Sequence, residues 1–161
     1  LKNGGRQKLD FCPPRCIGVK KLKSIESNSK RIIVAKLEKG EDLLEALAGL
    51  AKKYELVSGF FSAIGAFSKA NIGFFEEGEY KSVKLESDLE LLSCIGNVSY
   101  REGEVMVHAH AVVGDREGKA FGGHVLKGCV VSVTCEIFLV EIDKKITRAK
   151  DNATGLYLLD F

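Results

Sequence analysis

From Leu56 onward the chain is a succession of short apolar and β-branched runs, and the gaps between them are only a few residues long. This spacing constrains the fold more than any other feature. The runs cover 57–65, 69–75, 79–85, 89–98, 104–113, 119–125 and 129–142. Turns are marked by Gly65, by Glu77-Gly78, by Arg101-Glu-Gly103 and by Gly114-Asp-Arg-Glu-Gly118, residue types that accept the backbone angles of a reversal. A parallel crossover needs about a dozen residues or more. Gaps this short predict antiparallel pairing.

Two elements precede the strand series. Arg31-Ile-Ile-Val-Ala-Lys-Leu37 is short and β-branched, as a strand is. Gly40-Glu-Asp42 then opens a helix, in which Leu43, Leu44, Ala46, Leu47, Leu50, Ala51 and Tyr54 recur at helical spacing. Glu41 and Asp42 in its first turn and Lys52 and Lys53 in its last complement the macrodipole. This is the one long helix expected, so the fold class is α+β: a single domain with a mostly antiparallel sheet and one main packed helix. The end of the chain, residues 153–161, is apolar enough to dock on the body or on a neighbouring subunit.

A length of 161 residues allows one domain with a sizeable core. No apolar run reaches the roughly 18 residues of a membrane span, and the start of the sequence has no signal-peptide hydrophobic region. No membrane partner and a cytoplasmic location are expected. The first residue is Leu, so a processed, trimmed or unusual start is expected. Five cysteines, an odd number, argue against a secreted disulfide framework. Cys94, Cys129 and Cys135 lie in strand-like runs and read as small buried hydrophobes. Cys12 and Cys16 read as two exposed thiols in a tail, with a local disulfide or half a metal site as alternatives.

The net charge of +2 hides an asymmetry. Residues 1–23 hold seven Lys or Arg and one acid, Asp10; residues 24–161 hold 17 basic and 21 acidic residues. The first stretch, with Gly4-Gly5 and Pro13-Pro14, is expected to be a basic, poorly ordered leader. The remainder, 24–161, is the folded domain, and its mild acidity weakens any general grip on phosphates.

All three histidines fall in one stretch, His108-Ala-His110-Ala-Val-Val-Gly-Asp-Arg-Glu-Gly-Lys-Ala-Phe-Gly-Gly-His124. Side chains on a strand alternate with period two, so His108 and His110 share a face. If residues 114–118 form a five-residue loop, Val113 faces Lys119 and His124 falls opposite His108, on the same face. A four-residue loop would turn His124 to the other face, and Gly122-Gly123 offers a place for a bulge and room for a ligand. Three neutral imidazoles suit zinc first, then iron, copper or nickel, and leave a coordination position open. The alternatives are an imidazole cluster that takes metal only during purification, or polar residues satisfied in a trimer interface.

Glu136 stands in an otherwise apolar strand. It is a candidate to orient a ligating histidine or to act as a base; equally, it is an edge or surface carboxylate. Asp115 reads as a turn residue. Ser62 lacks the setting of a nucleophile. Gly59, Gly65, Gly73 and Gly96 form no phosphate loop or dinucleotide fingerprint and read as turns or close backbone contacts.

Several motifs occur together in order: Phe60-Phe-Ser-Ala-Ile-Gly-Ala66, Glu90-Leu-Leu-Ser-Cys-Ile-Gly-Asn97, Val107-His-Ala-His110, Gly122-Gly-His124 and Thr134-Cys-Glu-Ile-Phe138. With these the chain resembles the prokaryotic PPC (plants and prokaryotes conserved) domain over about Ser24 to Asp143. The resemblance implies a strongly bent antiparallel sheet, a packed helix and a homotrimer. It also implies the DNA-binding label that prokaryotic members carry. The Arg-Gly-Arg-Pro core of the AT-hook found in plant relatives is absent. Three functions compete: a trimeric DNA-binding or regulatory PPC protein with a three-histidine divalent-metal site; a small metal-dependent enzyme of hydrolase or lyase type acting at His108, His110 and His124; and a structural assembly module. Any DNA binding is expected to be weak, salt-sensitive and confined to residues 1–23.

Overall fold

The computed structural model describes residues 22–161. The basic leader, apart from Leu22 and Lys23, and Cys12 and Cys16 with it, lie outside the described residues. Ten elements follow: β1 (Ser29–Glu38), α1 (Leu43–Lys53), β2 (Ser58–Glu76), β3 (Glu79–Leu85), β4 (Leu89–Arg101), β5 (Glu104–Gly114), β6 (Ala120–Val125), β7 (Val130–Ile142), β8 (Thr147–Lys150) and β9 (Tyr157–Asp160). Nine strands join one sheet. All pairings are antiparallel except a short parallel contact of β4 with β8 at Tyr100 and Thr147.

The pairings β2–β4, β4–β5, β5–β6 and β6–β2 close on themselves, so the sheet bends round instead of lying open. The tight turns at Glu77-Gly78 and Glu102-Gly103 hold all four residues at positive φ. That is the two-residue hairpin geometry that follows strand twist. The expected break at Gly65 is not a turn. Residues 58–76 run as one 19-residue strand. A Cβ on Gly65 would sit 2.3 Å from the Thr134 carbonyl oxygen. The glycine is there for close approach to β7, at a register shift between Gly65 and Phe67.

Helix α1 starts as its charges require. Asp42 caps it, accepting from Leu44 N and Glu45 N, and also accepts from Gly128 N at 2.8 Å. Leu43, Leu47 and Ala51 are its buried positions and join Phe61, Phe67, Val113, Val131, Ile137 and Leu139 in one core. The last residues form a β8–β9 hairpin against the edge of β4, so the apolar end docks on the body and does so as a strand pair. Among the described cysteines, Cys94, Cys129 and Cys135 are buried free thiols. Burial pushes Cys94 up to about 12 and Cys135 up to about 11, so neither is a ready nucleophile.

Candidate metal centre

Strand β5 alternates buried Ala109, Ala111 and Val113 with His108 and His110, which therefore point away from the core. The β5–β6 hairpin pairs His110 with His124 and Gly114 with Ala120. The loop is thus 115–119, one residue later than expected, and His124 faces His110 instead of His108. The register slips by two residues, an even number, so His124 stays on the expected face. Asp115 sets the loop, accepting from Glu117 N and Lys119 N at 2.9 Å each. No bulge interrupts the pairing. Gly123 does not make room for a ligand: a Cβ there would lie 2.6 Å from Ile72 Cγ2 and 2.7 Å from the Gly73 oxygen, where β6 packs on β2.

The three rings form a near-equilateral triangle, with centroids 5.2, 5.1 and 5.4 Å apart. One nitrogen from each lies within 4.8 Å of the others. Tyr80 stacks on His124 at 4.4 Å between centroids and holds its ring plane. His124 is pushed down to about 4, by burial first and then by His108, His110 and Arg148. Burial, then Arg148 and His110, also lowers His108. These two rings are neutral at neutral pH, the state a metal ligand requires. His124 Nδ1 is buried without a hydrogen-bond partner. A buried, unpartnered ring nitrogen on one of three converging imidazoles fits a divalent cation, since a buried polar atom otherwise finds a protein partner.

Glu136 is not part of this group. It is exposed on β7, paired with Ile64 of β2, and lines a surface depression with Leu92 and Val133. From His110 the sheet runs through Ile95 and Ser62 to Phe138, three strands along and two residues from Glu136. At ~4.8 Å per strand and ~3.3 Å per residue the separation along the sheet is about 16 Å.

Sequence reasoning missed the charged neighbour that is present. Arg148 of β8 is 9% exposed. Its Nη2 donates to Asn97 Oδ1 at 2.9 Å and meets His108 Nδ1 at 3.3 Å; its Nε donates to Ser99 Oγ at 2.8 Å and its Nη1 to the Tyr157 carbonyl at 2.9 Å. A cavity of about 180 Å³ lies between this side chain, Tyr80, Met106, His108 and His124, walled by residues 155–158. No local signal marks Arg148 in its Lys- and Arg-rich stretch. Only the docking of β8 beside β4 brings it to the histidines.

Fold and site together define a small bent-sheet protein with an exposed-face triad of imidazoles next to a buried guanidinium. Its family follows from comparison: residues 24–143 match the Plants and Prokaryotes Conserved (PCC, also PPC) domain, and the chain belongs to that family. The chain is similar to a metal-containing protein of Archaeoglobus fulgidus, with 29% identity and a TM-score of 0.80 over 87% of this chain and 100% of that one. It is similar to a plant- and prokaryote-conserved protein of Pyrococcus horikoshii, with 36% identity and a TM-score of 0.80 over 87% and 98%. A Ralstonia eutropha protein described as a candidate DNA-binding protein shares 27% identity and a TM-score of 0.75 over 80% and 90%. Among curated relatives, the bifunctional protein GlmU of a Synechococcus strain is 32% identical over 133 residues, 81% of this chain and 20% of that protein. The chain spans about a fifth of the length of the curated relatives it matches. No helix among the described residues is long and apolar enough to cross a membrane.

Proposed function

We propose that this chain is a metal-binding PCC-domain protein that works as a homotrimer, with His108, His110 and His124 holding one divalent ion, zinc first. The observation that carries this reading is the convergence of the three rings, with His124 Nδ1 buried and unpartnered. Three nitrogen ligands leave a position open, where a bound ion polarises a ligand or acidifies a water. The metal content of the Archaeoglobus relative supports the same reading. Elemental analysis of protein purified without an affinity tag tests it. One ion per chain is expected, with loss of metal and little loss of stability in His110→Ala, since His110 is exposed. A wild type that stays metal-free after dialysis against zinc overturns it.

The trimer belongs to this reading because of one sheet face. Ile32, Val34, Phe138, Phe60 and Ile95 stand exposed on neighbouring strands, β1, β7, β2 and β4, and run up to His110. A contiguous apolar face calls for cover. Light scattering that finds a monomer at micromolar concentration contradicts the assembly. A cytoplasmic location fits the free thiols at Cys94, Cys129 and Cys135.

DNA contact enters through residues 1–23 alone, the one strongly basic stretch of the sequence. A low-salt shift assay comparing the full chain with one starting at Ser24 is expected to show weak, salt-sensitive binding only in the former. Sequence-specific binding by the shorter chain overturns this assignment. The second reading, a small metal-dependent enzyme of hydrolase or lyase type, is favoured by the cavity beside His108 and His124.

A further inference from the structure

Among the described residues two charged side chains are buried, Glu141 and Arg148. Glu141 is paired with Arg31 at 2.6 Å and Lys30 at 3.5 Å. Arg148 forms no ion pair with a described carboxylate; its four partners, Ser99 Oγ, Asn97 Oδ1, the Tyr157 carbonyl and His108 Nδ1, are all neutral. A buried charge without a counter-charge is costly, yet the fold builds one into the wall of the cavity that His108 and His124 share.

We propose that Arg148 and the three-histidine centre are two halves of one binding site for a small organic carboxylate, seated in the cavity beneath the β8–β9 hairpin. The proposal deepens the metal reading and rests on it. Charge is the first argument. A filled centre beside Arg148 gathers a divalent cation and a guanidinium, and among the described residues no Asp or Glu lines the cavity to balance them. The second argument concerns His108. Its Nδ1 accepts from Arg148 only while it carries no proton. Ligation through Nδ1 takes that lone pair; ligation through Nε2 leaves the ring proton on Nδ1. In both cases Arg148 loses an acceptor when the centre fills, and one Nη2–H turns to another oxygen. A carboxylate supplies acceptor oxygens for both the guanidinium fork and the ion. The third argument is the remaining wall. Met106, Leu156 and Leu158 favour a short aliphatic group over an inorganic anion, and about 180 Å³ restricts the ligand to a small one.

The test uses the full chain loaded with Co²⁺ and titrated with isobutyrate, with its neutral counterpart isobutyramide, and with inorganic phosphate, followed by visible absorption and by melting temperature. Isobutyrate is expected to change the spectrum saturably and raise the melting temperature, while isobutyramide does neither. Arg148→Met is expected to keep its Co²⁺ and bind isobutyrate about tenfold more weakly or worse. If that variant misfolds, Arg148→Lys, which keeps the charge without the fork, takes its place; the isobutyrate–isobutyramide contrast needs no variant. Equal binding of the two probes, no binding of isobutyrate, or unchanged affinity in the Arg148 variants overturns the proposal. Preference for phosphate overturns the assignment to a carboxylate. If Co²⁺ does not bind, the metal reading has failed separately. Calorimetry on the metal-free chain then decides the anion half, which stands only if isobutyrate binds and binding depends on Arg148.

Discussion

Glu141 and Arg148 are close in sequence, both are buried, and their surroundings are opposite in kind. Glu141 is fully enclosed at the end of β7, and its polar partners answer its charge: Arg31 and Lys30 as cations and Val57 N as a donor at 2.9 Å. Burial pushes its pKa up, but the Val57 hydrogen bond and Arg31 outweigh that and hold it below the ordinary value. Arg148 is enclosed as well, and its neighbours are neutral acceptors and imidazoles. A compensated buried charge ties elements together, here β1 and the start of β2 to β7. An uncompensated one is retained at a cost to stability, and here it stands in the wall of the cavity proposed to take a carboxylate.

The comparison can be broken by substitution. Glu141→Leu strands Arg31 and the Val57 N–H, and urea unfolding is expected to show a loss of about 3 kcal/mol. The value sits at the low end for buried pairs because Arg31 is 47% exposed and regains water. Acid titration sharpens the point. A carboxylate with a lowered folded pKa contributes stability that is complete above its unfolded value, near the ordinary 4.5, and is lost as pH falls through the folded value. Unfolding curves measured from pH 6 downward are therefore expected to fall off more steeply in the wild type than in Glu141→Gln. Arg148→Met is expected to lie within about 1 kcal/mol of wild type, because removing an unpaired buried charge offsets the lost hydrogen bonds. A loss as large as that of Glu141→Leu would make the two residues equivalent and remove the contrast. The smallest effect is a control away from both. Gly49 is in α1 with open space around its Cβ position, so Gly49→Ala is expected to stabilise by about 0.5–1 kcal/mol in the same assay.

Much of this was legible in the sequence wherever local periodicity decides structure. The helix stripe, the two Glu-Gly turns and the face shared by His108 and His110 follow from spacings of a few residues. His124 was legible by parity: the loop moved by one position, the partner of His124 changed, and the face did not. Parity also held an unused signal on β7. Glu141 is in phase with buried Cys135, Ile137 and Leu139, whereas Glu136 is in phase with exposed Phe138. The buried carboxylate of that strand was readable, and Glu136 takes the surface alternative of its two readings. Gly65 misled because a glycine that permits close backbone approach looks the same in sequence as one that turns the chain. Arg148 was not legible at all, because its position depends on how the last hairpin docks beside β4, a long-range fact with no local pattern.

The central claim, one divalent ion on His108, His110 and His124, is tested most directly by the X-ray absorption fine structure of zinc in untagged protein. The expected spectrum shows three imidazole nitrogens at roughly 2.0–2.1 Å and one further light ligand. Sulfur scattering near ~2.3 Å, or fewer than three imidazoles, would contradict it.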